Sequence, residues 1–473
     1  MTKTQKNTTF FITYPQSFNQ QKEFPLETLN NFIRKYVPTS CTIHILPFYA
    51  STSDGGFAVS NFLEVHKSWG TWKEIRKITK KRSVMGDLVL NHVSSKHPCF
   101  QKAHSGDSLF EKYFLSYNTH KKFPDAFNPR DKDLLTKFKN KYYWTTFSKD
   151  QIDFNFKNPD VISEINTILE HYASKGISHI RLDALCYTSK QKLSSKKHVQ
   201  EISSIISQLD FKDMQPVAEL HFDYDTVTLY KKALASCLTY NFVLPSLLYY
   251  TFLTKDFIPF EKYCTTADFK HNFNVLATHD GISAIGAKPF LNQDNLKILE
   301  KDVLQKGFDV SRIKQKETVI PYEFNINYLD ALGSKDAFLC AHSILFFLQG
   351  IPGIYYTSYL GDRGISKKDD FFKVHTYTKR SVNRKEYVYN TIKEMLQQNT
   401  HKDIYSTLRH MIEIHAKHKD FNPEVPHSVL IKNNIITISR GSFSAIHNMS
   451  DFELIIPKQY DIVTKSFKRS LKP

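Results

Sequence analysis

The sequence predicts an α/β protein built on a (β/α)8 barrel of the TIM type, with segments inserted over the barrel mouth and a small C-terminal antiparallel β-domain. Three observations carry this prediction. Four short apolar runs end in carboxylates or histidines: Asp87-Leu88-Val89-Leu90-Asn91-His92, Ile180-Arg181-Leu182-Asp183, Val217-Ala218-Glu219-Leu220-His221 and Leu276-Ala277-Thr278-His279-Asp280-Gly281. Each is separated from the next by enough chain for a helix and a return, and in a barrel such ends converge on one rim. Beyond Pro423 the hydrophobic period changes to two, the period of strands.

Taken in order, Thr9 to Thr13 reads as a first strand, followed by a helix over about Leu26 to Arg34. Thr42 to Phe48 makes a second strand that runs into Ser53-Asp54-Gly55-Gly56-Phe57-Ala58-Val59-Ser60. Two glycines there let the backbone turn sharply and leave Asp54 exposed; spacing alone makes it an ordinary turn residue. Trp69 to Lys80 reads as a helix, with Trp69, Trp72, Ile75 and Ile78 roughly on one face, and Val84 to Leu90 as the third strand. From 93 to 153 the chain is aromatic, lysine-rich and broken by Pro98, Pro124 and Pro129. That excursion is too long for an ordinary connection and fits an inserted subdomain over the mouth.

Val161 to Tyr172 is an amphipathic helix leading into the strand with Arg181 and Asp183. Period two puts both on one face, and burying the two charges is costly unless they have a partner or a task. Further on come a helix from about His198 to Leu209, a strand from Pro216 to Glu219 and a helix near Tyr224 to Ala233. Leu238 to Leu244 and Phe273 to Thr278 are the sixth and seventh strands, and 282–330 reads as an irregular second insertion. Ala337 to Leu348 is an apolar helix, Gly350 to Tyr356 the eighth strand, and a basic loop follows through Asn383-Arg384. Helices from about Tyr387 to His418 close the barrel; Ser428 to Lys432, Ile435 to Ser439 and Phe452 to Ile456 are antiparallel strands. The expected organisation is a barrel over 1–92 and 154–420, insertions at 93–153 and 282–330, and a β-domain at 421–473.

A chain of 473 residues with 41% hydrophobic content can bury a large core. Its charge of +17 is spread thinly. Lys80-Lys81-Arg82 and Lys196-Lys197 are among the densest basic runs, too short for a nucleic-acid tract, though a basic balance suits an enzyme handling phosphate. The six cysteines, at 41, 99, 186, 237, 264 and 340, show neither zinc spacing nor a disulfide framework. The start has no signal-peptide pattern, and no apolar run approaches the roughly 18 residues of a membrane span. These features point to a cytoplasmic protein with neither membrane nor nucleic-acid partners.

The four polar-ended runs, in this order, are similar to the four signature regions of the α-amylase clan, glycoside hydrolase family 13. The start FITYP, the strand IHILPF, LVLNHVS, IRLDA, the THDG block, IPGIYY and SVNR resemble its sucrose phosphorylase-like subfamily. The segments IPGIYYTSYLGDRG and YEFNINYLDAL are more similar to the glucosylglycerate phosphorylase side, and CYTSKQKLSSKK departs from the glycine-bearing pattern usual after the nucleophile. The resemblance covers nearly the whole chain.

The resemblance implies a retaining double displacement, in which one carboxylate attacks the anomeric carbon and a carboxylic acid about 5 Å away protonates the leaving oxygen. Asp183 matches the nucleophile, Glu219 the general acid and base, and Asp280 the third carboxylate, which grips the sugar hydroxyls. Arg181 would keep Asp183 ionised, and Glu219 needs a drier or more negative setting to hold its proton. His92 and His279 match sugar-binding histidines, and Asp87 matches an aspartate that braces the site. Asp54 and Phe57 match an aspartate and an aromatic of the sugar pocket, and Arg384 is expected to pair with Asp54 at its closed end. Arg130 and Tyr187 match phosphate-contact positions, and the Lys/Arg-rich stretch from Arg363 to Arg380 could add charge. His221 has no role in the pattern and reads as an ordinary core histidine.

The leading expectation is therefore a phosphorylase that takes a small α-glucoside and inorganic phosphate to α-glucose 1-phosphate, with phosphate as co-substrate and no metal or other cofactor. A hydrolase or transglucosidase would use the same residues with water or sugar as acceptor. A non-catalytic sugar- or partner-binding barrel would have no use for three such carboxylates. A metal hydrolase is disfavoured, since no HxH pair lies on the first strand.

Overall fold

The structure is a computed structural model that describes residues 7–130, 132–315, 318–365 and 378–450. Eight parallel strands close into a barrel: β1 (Phe10–Thr13), β2 (Thr42–Ile45), β3 (Val84–Val89), β4 (His179–Asp183), β5 (Gln215–Ala218), β6 (Leu238–Asn241), β7 (Asn272–Val275) and β8 (Ile351–Tyr355). Each strand pairs with its sequence neighbours, and β1 pairs with β8 to close the ring. Most of the strand residues are buried, one face under the helices and the other inside the barrel. The exception to an apolar interior is a polar layer: His44 on β2, Asp87 on β3 and Arg181 on β4 are all at most 2% exposed.

The helices follow from local chemistry. Trp72–Thr79 starts three residues later than expected because Thr71 and Glu74 form a reciprocal cap, after Gly70 turns the chain at φ 138°. Pro25–Tyr36 and Pro159–Ser174 open on proline at the first helical position. Leu244, expected as the last residue of a strand, instead begins the helix Leu244–Thr254; that helix is buried over Leu244 to Thr251, so no amphipathic period marks it.

Between β3 and the helix Pro159–Ser174 lie two short helices and a three-stranded sheet built on Leu134, Leu135 and Trp144. A separate strand that closes the insertion, Gln151–Asp153, pairs with His92–Ser94 just beyond β3. The stretch 282–330 is ordered rather than irregular: a capped helix, Gln293–Gln305, is followed by antiparallel strands Asp309–Gln315 and Thr318–Asn325. A bulge between Ser311 and Arg312 breaks the alternation in the first strand, which hides it from a search for period two.

After β8 the helix Asn399–Lys417 packs against Lys335–Phe347, while Tyr387 and Val388, expected to be helical, pair with Phe18 and Asn19 as short strands. The C-terminal sheet comprises β9 (His427–Lys432), β10 (Ile435–Arg440) and β11 (Phe443–Asn448). Asn433 and Asn434, both left-handed, make the first hairpin turn. The third strand is thus Phe443–Asn448; the expected strand at Phe452 to Ile456 lies outside the described residues.

Candidate active site

Every barrel strand delivers its carboxyl end to one rim, and the candidate site is a pocket there. Asp54, Phe57, His92, Arg130, Asp183, Tyr187, Glu219, His279 and Asp280 all line it. Asp183 is the last residue of β4, Glu219 follows β5, and Asp280 stands five residues past β7 in a turn closed between Thr278 and Gly281.

Arg181 organises the floor. Its guanidinium lies 2.9 Å from Asp183 Oδ1 and 2.9 Å from Glu219 Oε1, and it also pairs with Asp87, whose other oxygen meets His44 Nε2 at 2.7 Å. Burial would raise Asp87, but Arg181 and His44 outweigh it and hold its carboxyl below the usual range. Arg181 does not single out Asp183 as its anion, as the sequence led us to expect; it serves Asp183 and Glu219 equally. Burial and the neighbouring Glu219 charge push the Asp183 carboxyl well up, with Arg181 opposing. Three carboxylates thus surround one guanidinium, and Arg181 ties Asp183 and Glu219 to each other through it. Ala184, left-handed at φ 54°, turns its N–H onto Glu219 Oε2 at 3.1 Å and so fixes the second acid against the end of β4.

The third acid has a different setting. Asp280 Oδ1 lies 3.0 Å from Arg380 Nε and 3.4 Å from both Arg384 Nη2 and His279 Nε2. Burial would raise Asp280, but Arg380, His279 and Arg384 outweigh it and keep the group firmly ionised. Burial holds His279 well below its ordinary value, and it stacks on Phe57 with centroids 5.1 Å apart. His92 Nε2 sits 3.1 Å from the Phe57 carbonyl and 3.1 Å from the Gln151 amide nitrogen.

The expected pairing of Asp54 with Arg384 is not made. Arg384 turns to Asp280 and lies over the Tyr14 ring at 5.5 Å, while Asp54 accepts from Gln151 Nε2 at 3.1 Å. The reason is local: Asp54 is left-handed at φ 55°, which aims its carboxylate at the inserted strand, and the guanidinium packs against the Cβ-less face of Gly55. The two charges still attract over a longer distance.

Several lining residues escaped the sequence reading. His221 is no ordinary core histidine: it lines the pocket, meets Ser283 Oγ at 2.9 Å and faces Glu323 at 3.8 Å. Glu323 and Tyr322 come from the strand Thr318–Asn325 of the second insertion, and Arg380 bridges Glu323, at 2.9 Å, to Asp280. Phe147 and Gln151 come from the first insertion. The position of His221, two residues past Glu219, was the one available signal, and it argued only for proximity. Among the described residues, no group of three His, Cys, Asp or Glu side chains could hold a metal ion. Nor is any described helix long and apolar enough to cross a membrane.

A family model for the α-amylase catalytic domain matches residues 14–249. Glucosylglycerate phosphorylase of Spirochaeta thermophila is 30% identical over 449 residues, covering 89% of this chain and 75% of the relative. The chain belongs to the α-amylase family. Within it, sucrose phosphorylase of Streptococcus mutans is 27% identical, covering 80% of this chain and 82% of its own. The crystal structure of sucrose 6F-phosphate phosphorylase from Thermoanaerobacter thermosaccharolyticum superposes with a TM-score of 0.81 at 25% identity, covering 94% of both chains. The protein is thus an enzyme of the α-amylase family, and its pocket lies where that family's barrel strands end.

Proposed function

We propose that this enzyme is a glucoside phosphorylase, cleaving a small α-glucoside with inorganic phosphate to give α-glucose 1-phosphate. The observation that carries the reading is the Asp183–Glu219 pair on one buried guanidinium, in a chain whose relatives include phosphorylases of glucosylglycerate and sucrose. With one proton between them, one acid attacks while the other protonates. Asp183 attacks the anomeric carbon as Glu219 gives its proton to the departing oxygen, leaving a glucosyl ester on Asp183 and a free alcohol. A phosphate oxygen then attacks that carbon, Glu219 takes the phosphate proton, and Asp183 departs as carboxylate.

Asp280 stays anionic beside the ring, where positive charge develops only on the way over the barrier. His92, His279, Phe57 and Asp54 frame the glucosyl ring, with Asp87 bracing Arg181 from behind. Arg130 makes no ion pair with a described residue and lies 5.9 Å over the Phe147 ring at the pocket wall, beside which Tyr187 packs edge-on at 4.9 Å. A guanidinium so placed suits an incoming phosphate. The leaving group is a fructose, fructose 6-phosphate, glycerate or glycerol moiety.

The test is to offer sucrose, its 6F-phosphate, glucosylglycerate and glucosylglycerol with and without phosphate. Glucose 1-phosphate should form from one of them only when phosphate is present, and Asp183→Ala should form none. Free glucose at the same rate in both conditions would establish a hydrolase instead.

A further inference from the structure

One side chain outside the pocket holds two of its walls together. Asp150 precedes the strand Gln151–Asp153, and its carboxylate accepts from Thr52 Oγ1 at 2.5 Å, Ser53 Oγ at 2.7 Å, Ser94 Oγ at 3.1 Å, Ser95 Oγ at 2.7 Å and the Ser95 N–H at 3.1 Å. These donors belong to two segments remote in sequence: the base of the loop with Asp54 and Phe57, and the residues just past His92. Thr52 and Ser94 also touch each other, Oγ1 to Oγ at 2.7 Å.

The loop needs holding. Asp54, Gly55 and Gly56 are consecutive left-handed residues at φ 55°, 62° and 107°, and for an aspartate that conformation persists only where its surroundings over-determine it. Within the loop, Thr52 N–H donates to the Ala58 carbonyl at 3.0 Å and Ala58 N–H to the Ser53 carbonyl at 3.3 Å, so the turn is tied at its base. Nothing in those bonds fixes the base against the barrel; Asp150 does.

We infer that Asp150 is a positioning residue for the glucosyl end of the pocket, a charged clasp that fixes the left-handed Asp54 turn against the chain leaving β3. The inference rests on the reading of Asp54 as a sugar contact. Burial would raise Asp150, but hydrogen bonds from Ser95, Thr52, Ser53 and Ser94 outweigh it and hold the group below its ordinary value, so the clasp stays anionic at neutral pH.

The experiment compares the full chain with Asp150→Ala, Asp150→Asn and the loop-side double variant Thr52→Val/Ser53→Ala. Hydrogen exchange of the unliganded proteins, followed by mass spectrometry, should show the 52–58 amides exchanging at least tenfold faster in Asp150→Ala, with the barrel strands unchanged. Apparent affinity for D-glucose should fall about tenfold, appearing in turnover as a raised KM with kcat nearly kept, and Asp150→Asn should lie between. Combining Asp150→Ala with the loop-side variant should add little to either change. Unaltered exchange at 52–58, or fully additive effects, overturns the clasp. Absence of glucose binding by the parent protein would count against the sugar reading, while exchange still decides the clasp.

Discussion

The two acids on Arg181 set up a proton account that can be tested directly. On the proposed mechanism Asp183 attacks as a carboxylate, yet burial and the Glu219 charge raise it. Removing that charge in Glu219→Gln should lower it. With 2-deoxy-2-fluoroglucosyl fluoride, whose leaving group needs no acid, the pH of half-maximal labelling of Asp183 should be lower in Glu219→Gln than in the parent. Labelling profiles that coincide would mean the two acids do not share a proton. Arg380 makes the matching case for Asp280. Asp280 is depressed in the folded protein, so its pairing stabilises the fold above the unfolded carboxylate value, near 3.9, and is lost as pH falls below it. In Arg380→Gln that contribution shrinks and Asp280 titrates higher, so acid unfolding should begin at a higher pH and kcat/KM should drop at least tenfold. A urea titration at pH 7 and at about pH 3, below the unfolded carboxylate value, reads the first, initial rates the second. At this scale the sequence was informative where side chains stand on or beside strand ends, as Asp183, Glu219 and His279 do. It was silent on Glu323 and Gln151, and it named Arg380 only as the end of a basic stretch, because their partners arrive from segments far away in the chain. It misdirected Arg384, because the handedness of the Asp54 turn decides where that carboxylate points.

Between elements, the turn after β4 depends on one half-buried cation. Lys190 Nζ lies 2.9 Å from Asn91 Oδ1 and 2.5 Å from Asp153 Oδ2, and it also bonds the Tyr187 carbonyl. It thus ties the 3₁₀ turn Leu185–Thr188 to the end of β3 and to the inserted strand Gln151–Asp153. Lys190→Met would leave Asp153, fully buried, without its counter-charge, although Thr146 still donates to it. The expected loss is about 3–5 kcal/mol, read as a lower urea midpoint. The companion variant Lys190→Met/Asp153→Asn should recover part of it. The barrel strands and amphipathic helices were legible because burial on one face writes a period into the sequence. The helix Leu244–Thr254, buried along most of its length, and the bulged strand Asp309–Gln315 wrote none.

At the scale of the whole molecule, the C-terminal sheet is fastened to the barrel through Arg440, which is 1% exposed. Its guanidinium donates to the carbonyls of Leu348 at 2.8 Å, Phe421 at 3.1 Å and Asn422 at 2.8 Å. Arg440→Leu strands those three acceptors and should cost about 2–4 kcal/mol, with kcat at 20 °C unchanged because the pocket lies elsewhere. A loss of kcat without a loss of stability would show that the sheet reaches the site by another route. The barrel could be read from four motifs because chain order and strand order coincide around the ring. The ordered second insertion could not, although it supplies Tyr322 and Glu323 to the pocket.

The crowd of carboxylates around the cavity also bears on sequence in time. Asp54, Asp183, Glu219, Asp280 and Glu323 line it, and the guanidiniums of Arg181, Arg380 and Arg384 are already engaged by them. On the proposed reaction, a dianion entering the vacant cavity would meet like charge. Once Asp183 is esterified, the proton of Glu219 has left with the alcohol, so the pair keeps its single negative charge and that charge has moved from Asp183 to Glu219. The cavity thus presents the same total charge to both reactants, and what the first step changes is where the base stands: Glu219, no longer Asp183, is the carboxylate that faces the incoming phosphate and can take its proton.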